Sequence, residues 1–267
     1  MSRLQGKVAS IVGAAGEGNM GQVIAERFVR EGATVVVSGR HEDALRSCAG
    51  RIGGDWVGCD FTSKSSIDTM LDTVVERHGR VDIAVNATGW GLLTPMTENT
   101  EEELEKIVAL QFKGPFFWLQ KLVVLMSGSG GGSIIQISSA TAKIMLDNHA
   151  AYMGTKAGTD HVIRTVANEY GDQGIRANSI SPGLTQSPMT ADAMQSPSLV
   201  ETFRRCYPLG RIGTCDDIAA AAVFLASDEC FMTGENLQVN GGLCLRRNPR
   251  THELVEAAVA AGEIPAG

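Results

Sequence analysis

The sequence predicts an α/β protein in one domain, built on a doubly wound parallel sheet of about seven strands with helices on both faces. Short apolar runs alternate with longer helical patterns along almost the whole chain. A glycine-rich stretch separates the first apolar run from the first helix, and no repeat, low-complexity tract or linker divides the 267 residues. Strands that alternate with helices pair in parallel through right-handed crossovers, so these observations favour a sheet covered on both faces.

The first strand, the first helix and the turn between them have the layout of a dinucleotide site. The strand is predicted over residues 7–12 and the helix over 22–31, with Gly13-Ala-Ala-Gly-Glu-Gly-Asn-Met-Gly21 in between. Glycines permit a tight turn and let backbone N–H groups and the helix N-terminus approach a pyrophosphate. The sheet is therefore predicted to be of the Rossmann type. The residues expected against the cofactor here are Gly13, Ala15, Asn19, Met20 and Gly21.

The second strand, residues 33–38, bears on the choice of cofactor because it ends in Gly39-Arg40. An acidic residue at such a strand end would bond the adenosine ribose hydroxyls and indicate NAD, and this sequence lacks it. Arg40 instead offers a fixed cation to a ribose 2′-phosphate, which favours NADP. Glu17 in the glycine loop would repel that phosphate if it lay nearby. NADP is therefore preferred and NAD stays open.

The remaining strands and helices follow in alternation. Strands are predicted over residues 55–59, 81–85, 133–138, 176–181 and 237–239. A helix with Ser63 as its N-cap is predicted to reach His78. A second helical pattern covers residues 101–126, and Gly114-Pro115 is expected to break or bend it. Further helices are predicted over residues 150–170 and 216–226.

The stretch from Ser138 to Lys156 carries residues suited to acid–base chemistry. Tyr152 and Lys156 lie four apart in a helical pattern, so their side chains leave the same helix face one turn apart. A phenol has a pKa near ~10, and a neighbouring ammonium is expected to lower it toward the working range. Ser139, at the end of a predicted strand, is expected to bring a hydroxyl to the same point. These groups suit proton transfer at a carbonyl or alcohol oxygen.

Composition argues against several other classes of function. The net charge is -7 and the pI about 5.3, whereas a nucleic-acid-binding protein needs a basic patch. The longest apolar runs are too short to span a bilayer, and the first residues lack the apolar core of a signal peptide. The 6 cysteines form no C-x-x-C pair and the 5 histidines no ligand cluster. We expect a cytoplasmic protein with reduced thiols, no metal site, no nucleic-acid partner and no membrane partner.

In their order and spacing, these motifs resemble the short-chain dehydrogenase/reductase family over about residues 5–245. The matching pieces are, in order, the glycine loop, Asp60, Asn86-Ala-Thr-Gly89, Ser139, Tyr152-x-x-x-Lys156, Pro182-Gly183, the segment Arg211-Ile-Gly-Thr-Cys-Asp-Asp-Ile, and Thr233-Gly followed by Val239-Asn-Gly-Gly242. The separation of 13 residues between the serine and the tyrosine also matches. The family domain is predicted over residues 1–245 and a C-terminal extension over 246–267.

The resemblance implies an enzyme that transfers a hydride between a nicotinamide cofactor and a ketone or secondary alcohol, with Tyr152 as general acid/base. It implies that Lys156 lowers the pKa of Tyr152 and holds the nicotinamide ribose, and that Ser139 hydrogen-bonds the substrate oxygen. The cofactor carries the hydride, and the protein supplies orientation and electrostatics. The other cofactor contacts implied are Asp60, Phe61, Asn86, Ala87, Thr88, Pro182, Gly183, Thr185 and Ser187.

Three departures from the family pattern qualify these expectations. The glycine loop is longer than usual and has Asn19 at the central glycine, a length that resembles the enoyl-thioester reductase branch. That branch spaces its tyrosine and lysine seven apart, but the residue seven before Lys156 is His149. The active site therefore resembles the ketone/alcohol branch. The N-N-A-G motif is N-A-T-G, in which Thr88 is expected to replace part of a lost contact. Gln111 replaces the asparagine of the catalytic tetrad, and it either holds the same water with a longer arm or misplaces it.

The segment over residues 184–209 has little regular pattern and corresponds to the family's variable substrate lid. An apolar pocket for a hydrophobic ketone or alcohol is predicted from Trp90, Leu92, Leu93, Met145, Leu146, Met189, Met194 and Phe203. The helices over residues 101–126 and 150–170 form the dimer interface in related proteins, so a homodimer or homotetramer is expected. For the C-terminal extension, a short amphipathic helix on a neighbouring subunit and a frayed terminus both stay open.

Two alternatives to an NADP-preferring oxidoreductase remain at this point. One is an NAD-linked alcohol dehydrogenase of the same family, which differs only in the role of Arg40. The other is a cofactor-binding protein with little turnover, suggested by Gln111 and the altered glycine loop. The presence of Ser139, Tyr152 and Lys156 together argues against that second alternative.

Overall fold

The computed structural model of the chain describes residues 2–265. The strands are, in chain order, β1 (Val8–Val12), β2 (Thr34–Gly39), β3 (Asp55–Gly58), β4 (Ile83–Asn86), β5 (Gly132–Ile137), β6 (Ile175–Pro182), β7 (Thr185–Gln186), β8 (Gly213–Thr214) and β9 (Asn236–Val239). Seven of them form one parallel sheet in the order β3-β2-β1-β4-β5-β6-β9, and β7 pairs with β8 separately. The chain adds β2 and β3 on one side of β1, and it adds the later strands of the sheet on the other side, beginning with β4. Open α/β sheets bind ligands at this switch point between β1 and β4.

The helices between these strands are, in chain order, α1 (Met20–Arg30), α2 (Glu42–Ile52), α3 (Lys64–His78), α4 (Glu101–Val108), α5 (Gly114–Ser127), α6 (Ala150–Tyr170), α7 (Ala191–Met194), α8 (Pro197–Cys206), α9 (Cys215–Ala226) and α10 (Thr251–Ala260). Short 3-10 turns lie at Met96–Glu98, Ala140–Ala142, Gly171–Gln173, Pro188–Thr190 and Leu243–Leu245. Within residues 2–265, no helix is both long and apolar enough to cross a membrane.

Two apolar cores cover the two faces of the sheet. On one face α1, α2 and α9 pack through fully buried side chains such as Ile24, Phe28 and Ile218. On the other face α3, α5 and α6 pack through side chains such as Met70 and Trp118. Because every central strand is buried on both sides, the strands are continuous apolar runs rather than alternating ones. The predicted fold, a doubly wound parallel sheet of seven strands with helices on both faces, is confirmed.

Two segments for which no helix was predicted contain helices. The seven sheet strands lie within two residues of their predicted bounds, and Ser63 caps α3 by accepting a hydrogen bond from the backbone N–H of Ser66. The helix α2 was not predicted. The lid over residues 184–209 is also more regular than expected, since it contains α7 and α8, and Ser196 caps α8 immediately before Pro197.

The helical stretch over residues 101–126 is not broken at Gly114-Pro115. A wide π-helical turn, Ala109–Lys113, precedes this pair and α5 begins at it. Proline has no N–H to donate, so Pro115 leaves the carbonyl of Gln111 four residues earlier without its helical partner. The hydroxyl of Thr159 on α6 donates to that carbonyl at 2.6 Å. The irregular turn therefore ties the α4–α5 stretch to α6, the helix that carries Tyr152 and Lys156.

Candidate active site

A cavity of about 840 Å³ lies along the edge of the sheet where the strands have their carboxyl ends. The predicted site residues that line it are Gly13, Ala15, Asn19, Met20, Arg40, Asp60, Phe61, Ala87, Thr88, Ser139, Tyr152, Lys156, Pro182, Gly183, Thr185 and Ser187. Three predicted residues, Gly21, Asn86 and Gln111, are not in its wall and lie beneath it. The edge of a parallel sheet brings the ends of consecutive strands together, which is why residues far apart in sequence meet here.

The glycine loop after β1 is closely packed despite its added length. Gly13 has φ +93°, and a Cβ there would lie 2.6 Å from the carbonyl carbon of Ala87. A Cβ on Gly21 would lie 2.6 Å from the backbone oxygen of Gly13. Asn19 caps α1, accepting from Gln22 N at 3.0 Å and donating to Gly13 O at 2.9 Å. The N-terminus of α1 is thereby held at the cavity, in the arrangement that suits a phosphate group.

Arg40 and Asp60 lie at the ends of β2 and β3, on the same cavity. Arg40 is exposed, and His41 beside it also lines the wall. Glu17, an exposed residue of the glycine loop, is not in the wall. The Asp60 carboxylate accepts from the backbone N–H and the hydroxyl of Thr62, at 3.0 and 2.7 Å, and these bonds together with Arg40 lower its pKa. This end of the cavity thus pairs a fixed anion with an exposed guanidinium.

Asn86 at the end of β4 acts through its neighbours. It is completely buried and donates to Gln136 Oε1 at 2.9 Å. Its own oxygen accepts from the backbone N–H and the hydroxyl of Thr88, at 2.9 and 2.7 Å. The side chain of Thr88 is therefore oriented by Asn86, and Thr88 rather than Asn86 reaches the cavity wall.

Lys156 crosses from α6 to the ends of β4 and β5. Its ammonium donates to the backbone oxygen of Ile137 at 2.8 Å and to that of Thr88 at 3.4 Å. The side chain is 3% exposed. Burial lowers the pKa of Lys156 to about 8, and the nearby Asp160 opposes that shift. Lys156 is thus a cation held at a fixed place whose charge is lost at mildly alkaline pH.

Tyr152 and Ser139 meet at the same part of the wall. Burial raises the pKa of Tyr152 to about 12, and a hydrogen bond with Ser139 opposes the shift. The Lys156 nitrogen lies 5.6 Å from the centroid of the tyrosine ring. Desolvation of the phenolate is thus the main influence on this pKa. The lowering of the Tyr152 pKa by Lys156 stays a prediction.

His149 was not predicted as a site residue, and it packs directly on Tyr152. The two rings are stacked with centroids 4.2 Å apart and planes 23° apart. Nδ1 of His149 lies 2.6 Å from the backbone oxygen of Leu92. The preceding Asn148 has φ +60°, and its backbone oxygen accepts from Thr94 N at 2.8 Å. The sequence did carry a signal for this contact, because residues three apart at the start of a helix lie on the same face.

Gln111, predicted as catalytic, is buried away from the cavity with both ends of its amide paired. Its oxygen accepts from the backbone N–H of Trp90 at 2.8 Å, and its nitrogen donates to the hydroxyl of Thr155 at 2.9 Å. Its backbone oxygen accepts from Thr159, as described above. The side chain therefore links α6 to the loop after β4 instead of reaching toward Tyr152.

The predicted apolar pocket is only partly assembled from the expected residues. Leu93, Leu146, Met189 and Phe203 line the cavity, whereas Trp90, Leu92, Met145 and Met194 do not. Trp90 packs under the ammonium of Lys106 at 4.1 Å, and Leu92 contributes its backbone to His149. The apolar wall also contains residues that the sequence analysis missed: Leu199, Leu243 and Leu254.

The C-terminal segment completes this wall from within the same chain. Asn248, Pro249, Thr251 and Leu254 line the cavity, and α10 packs on α8. Two contacts hold it to the loop before α6: Asn248 donates to the backbone oxygen of Met145 at 3.0 Å, and Arg250 pairs with Asp147 at 3.1 Å. Over residues 246–265 the extension therefore contains a helix packed on its own chain and is not a frayed terminus. A contact of this helix with a neighbouring subunit stays a prediction.

The other end of the C-terminal segment is fastened to the lid. The carboxylate of Glu263 accepts from the hydroxyl of Ser196 at 2.6 Å and from the backbone N–H of Ser198 at 2.9 Å, at the N-terminus of α8. Leu254 packs against the apolar cluster of Phe203 and Leu243. The lid and the C-terminal segment therefore form one layer over the apolar part of the cavity.

Comparison with known proteins yields dehydrogenases and reductases over nearly the whole chain. A family model described as enoyl-(acyl carrier protein) reductase matches residues 13–244. D-threitol dehydrogenase of Mycolicibacterium smegmatis is 33% identical over 250 residues, which are 91% of this chain and 95% of that protein.

Two solved structures superpose closely. A short-chain type dehydrogenase/reductase from Mycobacterium ulcerans has a TM-score of 0.90 with 31% identity, covering 95% of each chain. A gluconate 5-dehydrogenase from Burkholderia cenocepacia, solved in complex with NADP and tartrate, has a TM-score of 0.86 with 26% identity, covering 90% of this chain and 96% of that one.

Proposed function

The chain belongs to the short-chain dehydrogenase/reductase family, and from that premise we propose that it is an NAD(P)-dependent oxidoreductase interconverting a ketone and a secondary alcohol. One observation carries the proposal. Ser139, Tyr152 and Lys156 converge on the same cavity that the glycine loop and the N-terminus of α1 open into. A proton-transfer group and a phosphate-binding turn in one cavity suit a reaction in which a nicotinamide cofactor takes or gives the hydride.

Each of the three polar side chains has a role at the substrate oxygen. Tyr152 gives its phenolic proton to that oxygen during ketone reduction and takes it back during alcohol oxidation. Ser139 hydrogen-bonds the same oxygen and keeps it beside the phenol. Lys156 stabilises the phenolate that exists once the proton has left. Its ammonium is held in place for this role by hydrogen bonds to the backbone oxygens of Ile137 and Thr88.

Gln111 is proposed as a positioning residue instead of a catalytic one. Its paired amide joins Trp90 to Thr155, one residue before Lys156. The backbone oxygen of Gln111, left free by Pro115, receives the hydroxyl of Thr159, one residue before Asp160. These bonds fix the turn of α6 from which Lys156 projects. A buried network with every member paired is rigid, which suits a group that must be held in one place.

The residues at the cavity fit a nicotinamide dinucleotide. The glycine loop is so closely packed that a Cβ on Gly13 or Gly21 would overlap backbone atoms, and Asn19 holds the α1 N-terminus at its edge. The proposed holders of the two phosphates are the loop and that N-terminus. Asp60 and Thr88 are assigned to the adenosine half, and Lys156, Thr185 and Ser187 to the nicotinamide half. When bound, the cofactor supplies the site that accepts or donates the hydride.

NADP is the proposed preference. Arg40 and His41 stand exposed on the cavity wall at the end of β2, where a ribose phosphate is bound in this fold, and Glu17 is not in that wall. The gluconate 5-dehydrogenase relative was solved with NADP. Replacing Arg40 with Ser should raise KM for NADPH about tenfold or more and leave KM for NADH within about twofold. If the protein is instead an NAD-linked dehydrogenase, the wild-type enzyme should have a KM for NADH equal to or below its KM for NADPH.

Ketone and alcohol chemistry is favoured over enoyl reduction by the position of the tyrosine. The matching family model carries the name of an enoyl reductase, and the long glycine loop resembles that branch. However, the residue seven before Lys156 is His149, whereas Tyr152 stands one helical turn from the lysine and meets Ser139. A phenol paired with a serine hydroxyl suits hydrogen bonding to a substrate oxygen. One relative is named D-threitol dehydrogenase, an enzyme of an alcohol substrate.

The test is a panel of ketones and secondary alcohols, followed by the absorbance of reduced nicotinamide. The wild-type enzyme should turn over at least one member, and Tyr152→Phe should lower kcat by at least about a thousandfold while cofactor affinity stays within about threefold. Tyr170→Phe, the same change at the other end of α6, should keep full activity. An active Tyr152→Phe enzyme contradicts the mechanism. Cofactor binding with no turnover of any compound would favour a binding protein with little catalysis.

The proposed assembly is a homodimer or homotetramer through α4–α5 and α6. Leu104 and Phe116 on the first of these helices are 49% and 45% exposed in the single chain. Apolar side chains on long surface helices suit burial against a second copy. The particle mass in solution, measured by light scattering, tests this, and Leu104→Glu with Phe116→Glu should shift the mass toward a single chain.

A further inference from the structure

We propose that His149 binds substrate and selects compounds with a hydroxyl on the carbon next to the reacting carbon. The substrate would be a vicinal diol in the direction of oxidation and an α-hydroxy ketone in the direction of reduction. The inference rests on the proposed function, since it names the substrate class of the same site. His149 directly precedes α6 and lines the cavity three residues before Tyr152.

The bond to Leu92 decides which ring nitrogen of His149 carries the proton. Nδ1 lies 2.6 Å from the backbone oxygen of Leu92. A carbonyl oxygen only accepts, so Nδ1 donates, and Nε2 of the neutral ring then bears a lone pair and no proton. Burial lowers the pKa of His149, which keeps the ring neutral at and above neutral pH. Nε2 is therefore a hydrogen-bond acceptor.

This acceptor has no partner within the described part of the chain, residues 2–265. The side chain of His149 is 8% exposed, and the ring stands in the cavity wall. Nε2 forms no hydrogen bond to another described residue, yet it is not one of the polar atoms sealed off without a partner. It is consequently open to the cavity. An almost buried acceptor without a partner is stabilised by a ligand that brings a donor.

The stacking places the imidazole of His149 against the phenol that meets the reacting oxygen. With ring centroids 4.2 Å apart and both residues in the cavity wall, one small ligand that meets the phenol is also within reach of the imidazole. The hydride leaves the reacting carbon and the proton leaves its oxygen, whereas the adjacent hydroxyl keeps its proton and only donates to Nε2. A diketone or a keto ester would bring a second acceptor against the lone pair. Such a ligand is disfavoured because two acceptors repel.

The loop that carries His149 is built to keep this orientation. Asn148 occupies the left-handed region at φ +60°, and its backbone oxygen accepts from Thr94 N at 2.8 Å. Thr94 and Leu92 belong to the same loop. This loop therefore holds both the backbone of Asn148 and Nδ1 of the His149 ring. The ring is therefore fixed at both the backbone and the side chain, independently of any ligand.

The test compares kcat/KM for cyclohexane-1,2-diol with kcat/KM for 2-methylcyclohexanol, in which a methyl group replaces the second hydroxyl. The wild-type enzyme should favour the diol about tenfold, the effect of one well-formed hydrogen bond. His149→Phe keeps an aromatic ring beside Tyr152 but has no acceptor, so the ratio should fall to about one or below. His149→Gln, which again offers an acceptor, should restore part of it. His161→Phe, on the exposed face of α6, should keep the wild-type ratio.

The outcomes separate this inference from the proposed function. Oxidation of both compounds with no preference for the diol, or a preference that survives in His149→Phe, overturns the role of His149 and leaves the oxidoreductase in place. Failure to oxidise either compound, together with every other member of the ketone and alcohol panel, overturns the proposed function and this inference with it. Should His149→Phe fail to fold, the wild-type ratio and the His149→Gln ratio still decide the matter.

Discussion

The cofactor half and the substrate half of the cavity are built in different ways. The first is made of turns that follow β1 to β6, and its walls are backbone and short side chains fixed by the sheet. The second is made of the lid over α7 and α8 and of the C-terminal segment with α10, which are joined by side-chain contacts such as those of Glu263. Changes in the first half should therefore abolish function, whereas changes in the second should retune it.

The largest effect is expected in the cofactor half, at Gly21. Its Cβ would lie 2.6 Å from the backbone oxygen of Gly13, so Gly21→Val forces the glycine loop out of place. We expect cofactor affinity to fall by at least about a hundredfold, because the backbone N–H groups no longer meet the phosphates. Titration of protein fluorescence with NADPH measures it. Gly50→Ala on α2, where the backbone is helical and a Cβ meets no atom within 4 Å, is the control and should keep the wild-type affinity.

The pH dependence should run in opposite senses for the two reaction directions. The reactive form for reduction has a charged Lys156 and a protonated Tyr152, so kcat/KM should be level below about pH 8, where Lys156 titrates, and fall above it. The reactive form for oxidation has a charged Lys156 and a Tyr152 phenolate. With a phenol pKa of about 12, its population rises with pH up to about 8 and then levels. Profiles from pH 6 to 10 with the same slope in both directions would refute this assignment.

A smaller effect is expected in the substrate half, at Leu254 on α10. Its side chain lines the cavity and packs against Phe203 and Leu243. Leu254→Ala should lower kcat/KM for a hydrophobic substrate about tenfold, the loss of part of one apolar wall. Its dissociation constant for NADPH should stay unchanged. Val255→Ala removes a 47% exposed side chain one residue later and should change neither quantity. Equal effects of the two substitutions would mean that α10 is not part of the substrate wall.

The smallest effect is expected for the ion pair between Arg250 and Asp147. The two side chains are 57% and 30% exposed, so water and salt screen their attraction. Arg250→Gln should raise substrate KM by less than about fivefold at low salt, and the difference should shrink as salt is added. Steady-state kinetics at two ionic strengths measures this. A large effect that salt does not change would indicate a direct contact between Arg250 and the substrate.

The same contrast explains which features the sequence could predict. Periodicity located seven strands, and a spacing of four placed Tyr152 and Lys156 on one face, because both are local properties of the chain. The partner of His149 is 57 residues away at Leu92, and Gln111 pairs with Thr155 across two helices. Such contacts depend on tertiary packing and leave no local pattern.

One miss, the helix α8, had a signal that was present in the sequence. The helix α8 begins with Ser196 followed by Pro197, a cap and first-turn pair, and continues with Leu199 and Phe203 on one face. For the C-terminal extension a helix was one of the predicted alternatives, and α10 begins with a cap in which Glu253 accepts from the backbone N–H of Arg250. Its position over the chain's own lid depended on contacts with Asp147 and with Ser196, far away in sequence, and could not be read locally.

The most direct test of the central claim follows the hydride itself. A secondary alcohol that carries deuterium on the carbinol carbon is incubated with the enzyme and oxidised cofactor, and the reduced nicotinamide is examined by NMR. The account predicts deuterium at C4 of the nicotinamide ring with the wild-type enzyme and no detectable reduction with Tyr152→Phe. Reduced cofactor without deuterium at C4, or labelled cofactor formed equally by Tyr152→Phe, would contradict it.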